Sequence, residues 1–200
     1  MKFGGVRYYR VALVGIRKSL RNYCRGCGLR SETKTLINES DRGCVIIAAV
    51  ILEKRLVDDI SAIFAKNELS NRYMSHIFDG NGALGNFSSK ILVAKGMGLI
   101  SGEVMHDLMV IRKMRNEFAH SLTDVSFSDP KVKSRIDSMF FARRAKESMK
   151  DNPAFNLSDD PNGPPVYSYK SIFCIAVKDL DIYLLEARVL RSGLKIRAEI

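Results

Sequence analysis

Gly102-Glu103-Val104-Met105-His106-Asp107-Leu108-Met109-Val110-Ile111-Arg112-Lys113-Met114-Arg115-Asn116-Glu117-Phe118-Ala119-His120-Ser121-Leu122 reads as one helix. Val104, Leu108, Ile111, Phe118 and Leu122 fall on a single line at helical intervals. Ser101 stands just before them, where a hydroxyl can accept from the free amides of a first turn. The spacing predicts a helix over residues 102–122. Arg115 falls on the neighbouring apolar stripe, among Leu108, Ile111 and Phe118. A guanidinium aimed inward needs a carboxylate or an anion, and Glu117 and the acids of the first long helix are its candidate partners.

The same period extends in both directions. Residues 38–66 read as a long helix, with Ser40 as N-cap and Asp41 in the first turn, where negative charge suits the helix dipole. Its expected apolar stripe is Ile47, Ile51, Leu52, Leu56, Ile60 and Ile63. Glu53, Lys54, Arg55, Asp58 and Asp59 take the wet side. A short helix over 68–78 leads to the loop Asp79-Gly80-Asn81-Gly82-Ala83-Leu84-Gly85. Ser88, or Asn86 before it, starts the next helix, which Gly96 and Gly98 end. Asp129-Pro130 opens another helix that runs through Ile136, Met139 and Phe140. Residues 150–166 hold four of the five prolines and read as an irregular loop. A strongly apolar helix over 167–190 is expected to pack at the centre. A repeat and a sustained heptad seam are missing, and strand alternation is confined to short ambiguous pieces such as Val166-Tyr167-Ser168-Tyr169. The fold class is therefore all-α, a single bundle of about six or seven helices with no helix-turn-helix motif.

Charge divides the chain. It has 200 residues and a formal charge of +10. Residues 1–30 hold eight basic side chains and no acid, leaving the remaining residues with 24 basic and 22 acidic groups and a net +2. We divide the chain into a basic N-terminal arm, residues 1–35, and a helical domain, residues 36–200. An evenly basic nucleic-acid coat is excluded. Within the arm, Arg7, Arg10, Arg17, Lys18, Arg21 and Arg25 are the candidate nucleic-acid contacts, with Tyr8, Tyr9 and Tyr23 for stacking. Residues 6–22 can form a basic amphipathic helix. The longest apolar run, Cys44–Leu52, is too short to span a bilayer. No secretory signal is evident, so the expected compartment is the cytoplasm, where thiols stay reduced.

Three further features could carry chemistry. Arg112, Asn116 and His120 lie at i, i+4 and i+8, on one helix face. With Arg115 they offer a cation, an amide and an imidazole, the set that metal-free RNA cleavage requires. His120 would move a proton, Arg115 would neutralise the phosphorane and Asn116 would orient the phosphate. The alternative is structural: Arg115 and Glu117 in internal salt bridges, with His120 capping the helix. The glycine loop could cradle an anion through Asp79, Gly80, Gly82, Gly85 and Ser88, its glycines free to take positive φ. The residues favour the plainer alternative, a tight interhelical turn with an N-cap. Cys24-x-x-Cys27 is half of a zinc site without a second half. Cys44 and Cys174 read as isolated residues of apolar helices, so neither metal nor cofactor is expected.

Three blocks together resemble one known family. They are Glu39–Ala49 leading into Leu52-Glu53, then Phe78–Ser88, then Gly96–Ile100 with Ile111–His120. In this order and spacing the chain resembles the mannitol operon repressor family over roughly residues 36–135. The specific centre is the Asp79–Gly85 loop paired with Arg115-Asn116-Glu117 and His120. The resemblance implies a bacterial transcriptional regulator that acts through protein or nucleic-acid partners rather than by reading base edges. The Arg115-to-His120 spacing is also similar to that of HEPN domains. That similarity implies, as the alternative, a metal-independent endoribonuclease with a site formed across a homodimer, using Arg115 and His120 with Asn116 auxiliary. Nothing is inherited for the arm or for the C-terminal third.

Overall fold

The computed structural model describes residues 35–121, 124–150 and 166–192. The arm's predicted helix, its six candidate cations, the Cys24/Cys27 pair and most of the proline-rich loop lie outside those residues. The described residues carry seven helices and no strand: α1 Asp41–Lys66, α2 Asn71–Phe78, α3 Phe87–Gly96, α4 Gly102–His120, α5 Pro130–Ser138, α6 Phe140–Lys150 and α7 Tyr169–Ser192.

The starts of these helices follow from their caps. Ser40 Oγ accepts from Gly43 N (3.0 Å) at α1, and Ser101 Oγ accepts from Val104 N (3.3 Å) at α4. At α3 the cap is Asn86, whose Oδ1 accepts from Ser89 N (2.8 Å). Ser88 instead donates its hydroxyl to the same oxygen (2.8 Å). Helix α4 ends two residues earlier than its apolar line suggested, at His120, with Ser121 as C-cap.

The core lies between α1, α4 and α7, with α3 against α1 and α4 and with α6 against α7. Leu52, Leu56 and Ile60 of α1 meet Leu108, Ile111, Met114 and Phe118 of α4, together with Phe173, Val177, Leu180 and Leu184 of α7. Each is at most 1% exposed. Burying a side chain of this size is worth about 1.5–3 kcal/mol. Long apolar faces from sequence-distant helices thus hold the bundle together. No helix among the described residues is long and apolar enough to cross a membrane.

Three expectations need correction. The helix opened by Pro130 stops at Ser138. Met139 leaves helical geometry (ψ 136°), and Phe140 starts α6. The cause is Asp107 of α4, whose carboxylate accepts from Phe140 N and Phe141 N (both 2.8 Å) and so caps α6 from another helix. The glycine loop does not use positive φ: among the described residues only Gly98 and Glu68 do. Finally, the polar side of α1 is not wholly wet. Asp59 is 4% exposed, while Arg55 and Glu53 are partly buried and paired.

That last correction has a physical cause in α7. Arg55 of α1 meets Asp181 of α7 twice, Nε–Oδ1 at 2.6 Å and Nη2–Oδ2 at 3.3 Å. Arg191 donates from Nη2 to Asp59 Oδ2 (2.8 Å) and from Nη1 to the Leu99 carbonyl (2.8 Å). Burial raises the Asp59 pKa above the ordinary carboxylate range, and Arg191 and Arg188 only partly oppose this. Between its unfolded and folded values the folded chain holds the extra proton. This group's contribution to stability therefore grows as pH falls through that window and is lost as pH rises through it. An asymmetry should follow. Arg191→Ala leaves the buried carboxylate only the more distant Arg188 (3.9 Å) and is expected to cost about 3 kcal/mol, while Asp59→Asn, which leaves a partly solvated arginine, costs about 1 kcal/mol or less. Urea unfolding of both variants checks the order. Equal losses would show that Asp59 is not held by Arg191.

Candidate functional site: the carboxyl end of α4 and the glycine loop

The carboxyl end of α4 is fastened from two sides. Arg42 of α1 donates from Nη2 to the Ser121 carbonyl (2.9 Å), satisfying a backbone acceptor where the helix stops. Glu117 turns toward α5, where it pairs with Lys131 (2.8 Å) and Arg135. Glu117 is therefore held by α5, and the inner position beside Ile111 and Phe118 belongs to Met114, which is fully buried. Arg115 is half-buried at the margin of the core rather than within it, and its Nη1 donates to Asn116 Oδ1 (3.1 Å). The expected inward guanidinium is thus corrected by one residue step. Helical rotation of 100° per residue carries Met114 into the core and Arg115 to its edge.

Arg112 and Asn116 are also half-buried on this face, and His120 is exposed beyond them. The Nε of Arg112 is buried without a hydrogen-bond partner. Lys113 is exposed. This end of α4 therefore presents four cationic or imidazole side chains, while its one acid, Glu117, is committed to α5. Such a face suits an anionic partner surface.

The loop is built differently. Gly82 N donates to the Asp79 carbonyl (2.7 Å), Leu84 N to Ile77 (2.8 Å) and Gly85 N to Gly82 (2.9 Å). These three amides are spent on the loop itself, so they are not free to cradle an anion. The glycines are needed for room. A Cβ on Gly82 would lie 2.2 Å from the His76 carbonyl oxygen, and one on Gly85 would lie 2.4 Å from that of Asp79. Lys90, buried in α3, donates to the Gly85 carbonyl (3.2 Å) and to Glu53 of α1 (2.5 Å), tying the loop to the bundle. Asp79, Gly80 and Gly82 do line an open recess of about 400 Å³ with His76 and Asn81. Gly85 and Ser88 do not line it. His76 is the member that sequence reasoning missed, since it belongs to the preceding helix.

The mannitol repressor family model matches residues 35–171, more than half of the chain. The chain belongs to the mannitol repressor family. It is 24% identical over 92 residues to the mannitol operon repressors of Escherichia coli K12 and of Escherichia coli O6:H1 strain CFT073. That stretch is 46% of this chain and 47% of each relative, so the chain spans about half the length of the curated relatives it matches. The fold is similar to a chain in the X-ray structure of the MtlR–HPr complex from Escherichia coli, with a TM-score of 0.56 and 14% identity. The likeness covers 77% of this chain and 98% of that one. Family membership includes the loop and the α4 carboxyl end, both inside the matched residues.

Proposed function

We propose that the protein is a bacterial transcriptional regulator of the mannitol-repressor type, acting in the cytoplasm through a protein partner. The observation that carries this reading is the fold shared with nearly the whole of a family chain that was solved with HPr bound. The partner proposed is accordingly the HPr of the same cell. Regulation by a bound protein needs no base-reading helix, which fits a chain whose described helices bury their apolar faces in one core.

Calorimetric titration of the full chain with that HPr is expected to give a saturable complex with a Kd of about 10 µM or tighter. Deleting the gene is expected to raise transcription of the polyol-uptake operon it controls. No heat at about 100 µM HPr, a concentration that would half-fill a site of about −5.5 kcal/mol, would overturn the partner assignment. In parallel, EDTA-treated protein is expected to leave total RNA intact. Cleavage that disappears in His120→Ala would replace the regulator with a ribonuclease.

The charge asymmetry supports one addition: the arm contacts nucleic-acid phosphates without reading sequence. Each phosphate neutralised on a duplex contributes about 0.9 to the slope of log K against log salt. Removing residues 1–34, which hold Arg7, Arg10, Arg17, Lys18, Arg21 and Arg25, is expected to flatten that slope by about 3–5. An unchanged slope in the shortened chain would exclude the arm.

A further inference from the structure

Cys44 and Cys174 were expected to stand apart, being 130 residues distant in sequence. The fold places their sulfurs 3.6 Å from each other, both as free thiols, one in the first turns of α1 and one in α7. Cys44 is fully buried and Cys174 is 8% exposed. Lys170 lies four residues before Cys174 on the same helix face, and its ammonium bridges to Asp41 of α1 at 3.5 Å.

From this juxtaposition we propose that Cys44 and Cys174 are an oxidation site for peroxide, which converts them to a disulfide that bolts α1 to α7. Sulfurs already in contact need only about 1.5 Å of approach to reach bonding distance. With the Cys44 thiol as donor, the 3.6 Å contact favours the Cys174 thiolate, and the Lys170 ammonium favours a thiolate anywhere in the pair. Cys174 therefore lies below the ordinary thiol range, while the hydrogen bond it donates and its burial hold Cys44 above it. The nucleophile is thus the less completely buried of the two residues, 8% exposed against 0% for Cys44, and so the nearer to a dissolved oxidant.

The chemistry balances in two steps. The Cys174 thiolate attacks one peroxide oxygen, forming an S–O bond as the O–O bond breaks, and the hydroxide released takes a proton and leaves as water. Cys44 sulfur then attacks the Cys174 sulfenic acid. The S–S bond forms as S–O breaks, and the departing hydroxide leaves with the Cys44 proton as a second water. Two thiols lose two electrons and two protons, and one peroxide is reduced to two waters.

The test uses the full chain carrying Cys24→Ser and Cys27→Ser, so that the arm's thiols cannot exchange into the pair. A small excess of hydrogen peroxide is expected to lower the intact mass by about 2 Da, as one dithiol becomes one disulfide. Non-reducing peptide mapping should join the peptides holding residues 44 and 174, and dithiothreitol should restore both thiols. The midpoint of thermal unfolding should rise by about 5–10 °C on oxidation, because the bond closes a long loop of the unfolded chain. Cys44→Ala should stop at a sulfenic acid on Cys174 that dimedone traps, whereas Cys174→Ala should leave Cys44 unmodified over the same time. A mass gain of about 16 or 32 Da without a cross-link, or two thiols still alkylated after denaturation, would overturn the proposal. A lower melting point on oxidation would overturn the bolt. The peptide map is read on the chain with both native partners, so it stands even if an alanine variant fails to fold.

Discussion

Replacing Asp107 with alanine is expected to remove about 3–5 kcal/mol of stability and to lower Tm by about 10 °C, among the largest effects of any single polar substitution here. The carboxylate is fully buried. It accepts from two backbone amides at the start of α6, each at 2.8 Å. Bonds from neutral donors to a charged acceptor are worth about 1.5–3 kcal/mol apiece, and each amide left unpaired in the interior costs about 1–3 kcal/mol. The methyl of alanine restores neither bond. Helix α6, at 11 residues, is too short to hold itself together without its cap and its packing. Asp107→Asn keeps one oxygen but turns a donor toward the second amide, so its loss should lie between wild type and alanine. Urea melts of the three proteins measure the series. An alanine variant within about 1 kcal/mol of wild type would show that α6 does not depend on this carboxylate.

The second large effect separates two glycines that the sequence presents as equivalent. Gly82→Ala is expected to cost about 2–4 kcal/mol, while Gly80→Ala stays within about 0.5 kcal/mol of wild type. A Cβ on Gly82 would fall 2.2 Å from the His76 carbonyl oxygen and 2.4 Å from that of Ile77. Both are backbone atoms at the end of α2, so relief must come from moving the loop. Any such movement pulls on the Leu84-to-Ile77 bond and on Leu84, which is 5% exposed in the core. A Cβ on Gly80 meets nothing within 4 Å. Parallel denaturant curves decide the matter. Equal losses at the two positions would mean that the loop is limited by backbone conformation and not by room.

Most of the secondary structure was legible because it rests on local chemistry. Ser40 and Ser101 cap the helices they precede, and the apolar line of α4 faces the core as its spacing required. The features that escaped were all decided by a partner distant in sequence. Met139 carries no signal for a break, since the group that makes one is Asp107, more than thirty residues earlier. Asp107 itself did leave a trace. It lies three residues after Val104 and four before Ile111, so helical geometry puts it inside, where an acid needs donors. Arg55 and Asp59 looked solvated because their counterions, Asp181 and Arg191, stand 126 and 132 residues later, and no local pattern links such positions. At the candidate site, the helix that lines up Arg112, Asn116 and His120 was readable, but the commitment of Glu117 to Lys131 and Arg135 was not. Of the two readings of the glycine loop, the hydrogen bonds are those of the tight turn with a cap, and only the fold shows which carbonyl oxygens crowd its glycines.

Helix α7 has one more consequence. The family match stops at residue 171, the third residue of this helix, yet Phe173, Val177, Leu180 and Leu184 complete the core, and Asp181 and Arg191 pair with Arg55 and Asp59 of α1. The residues matched by the family model therefore do not include all of the packing around α1. A chain cut where the similarity ends would leave the hydrophobic flank of α1 open to water, with a stranded carboxylate and guanidinium beside it, and such a surface seeks other molecules. Helix α7 is thus part of the core around α1 although the family match ends near its start.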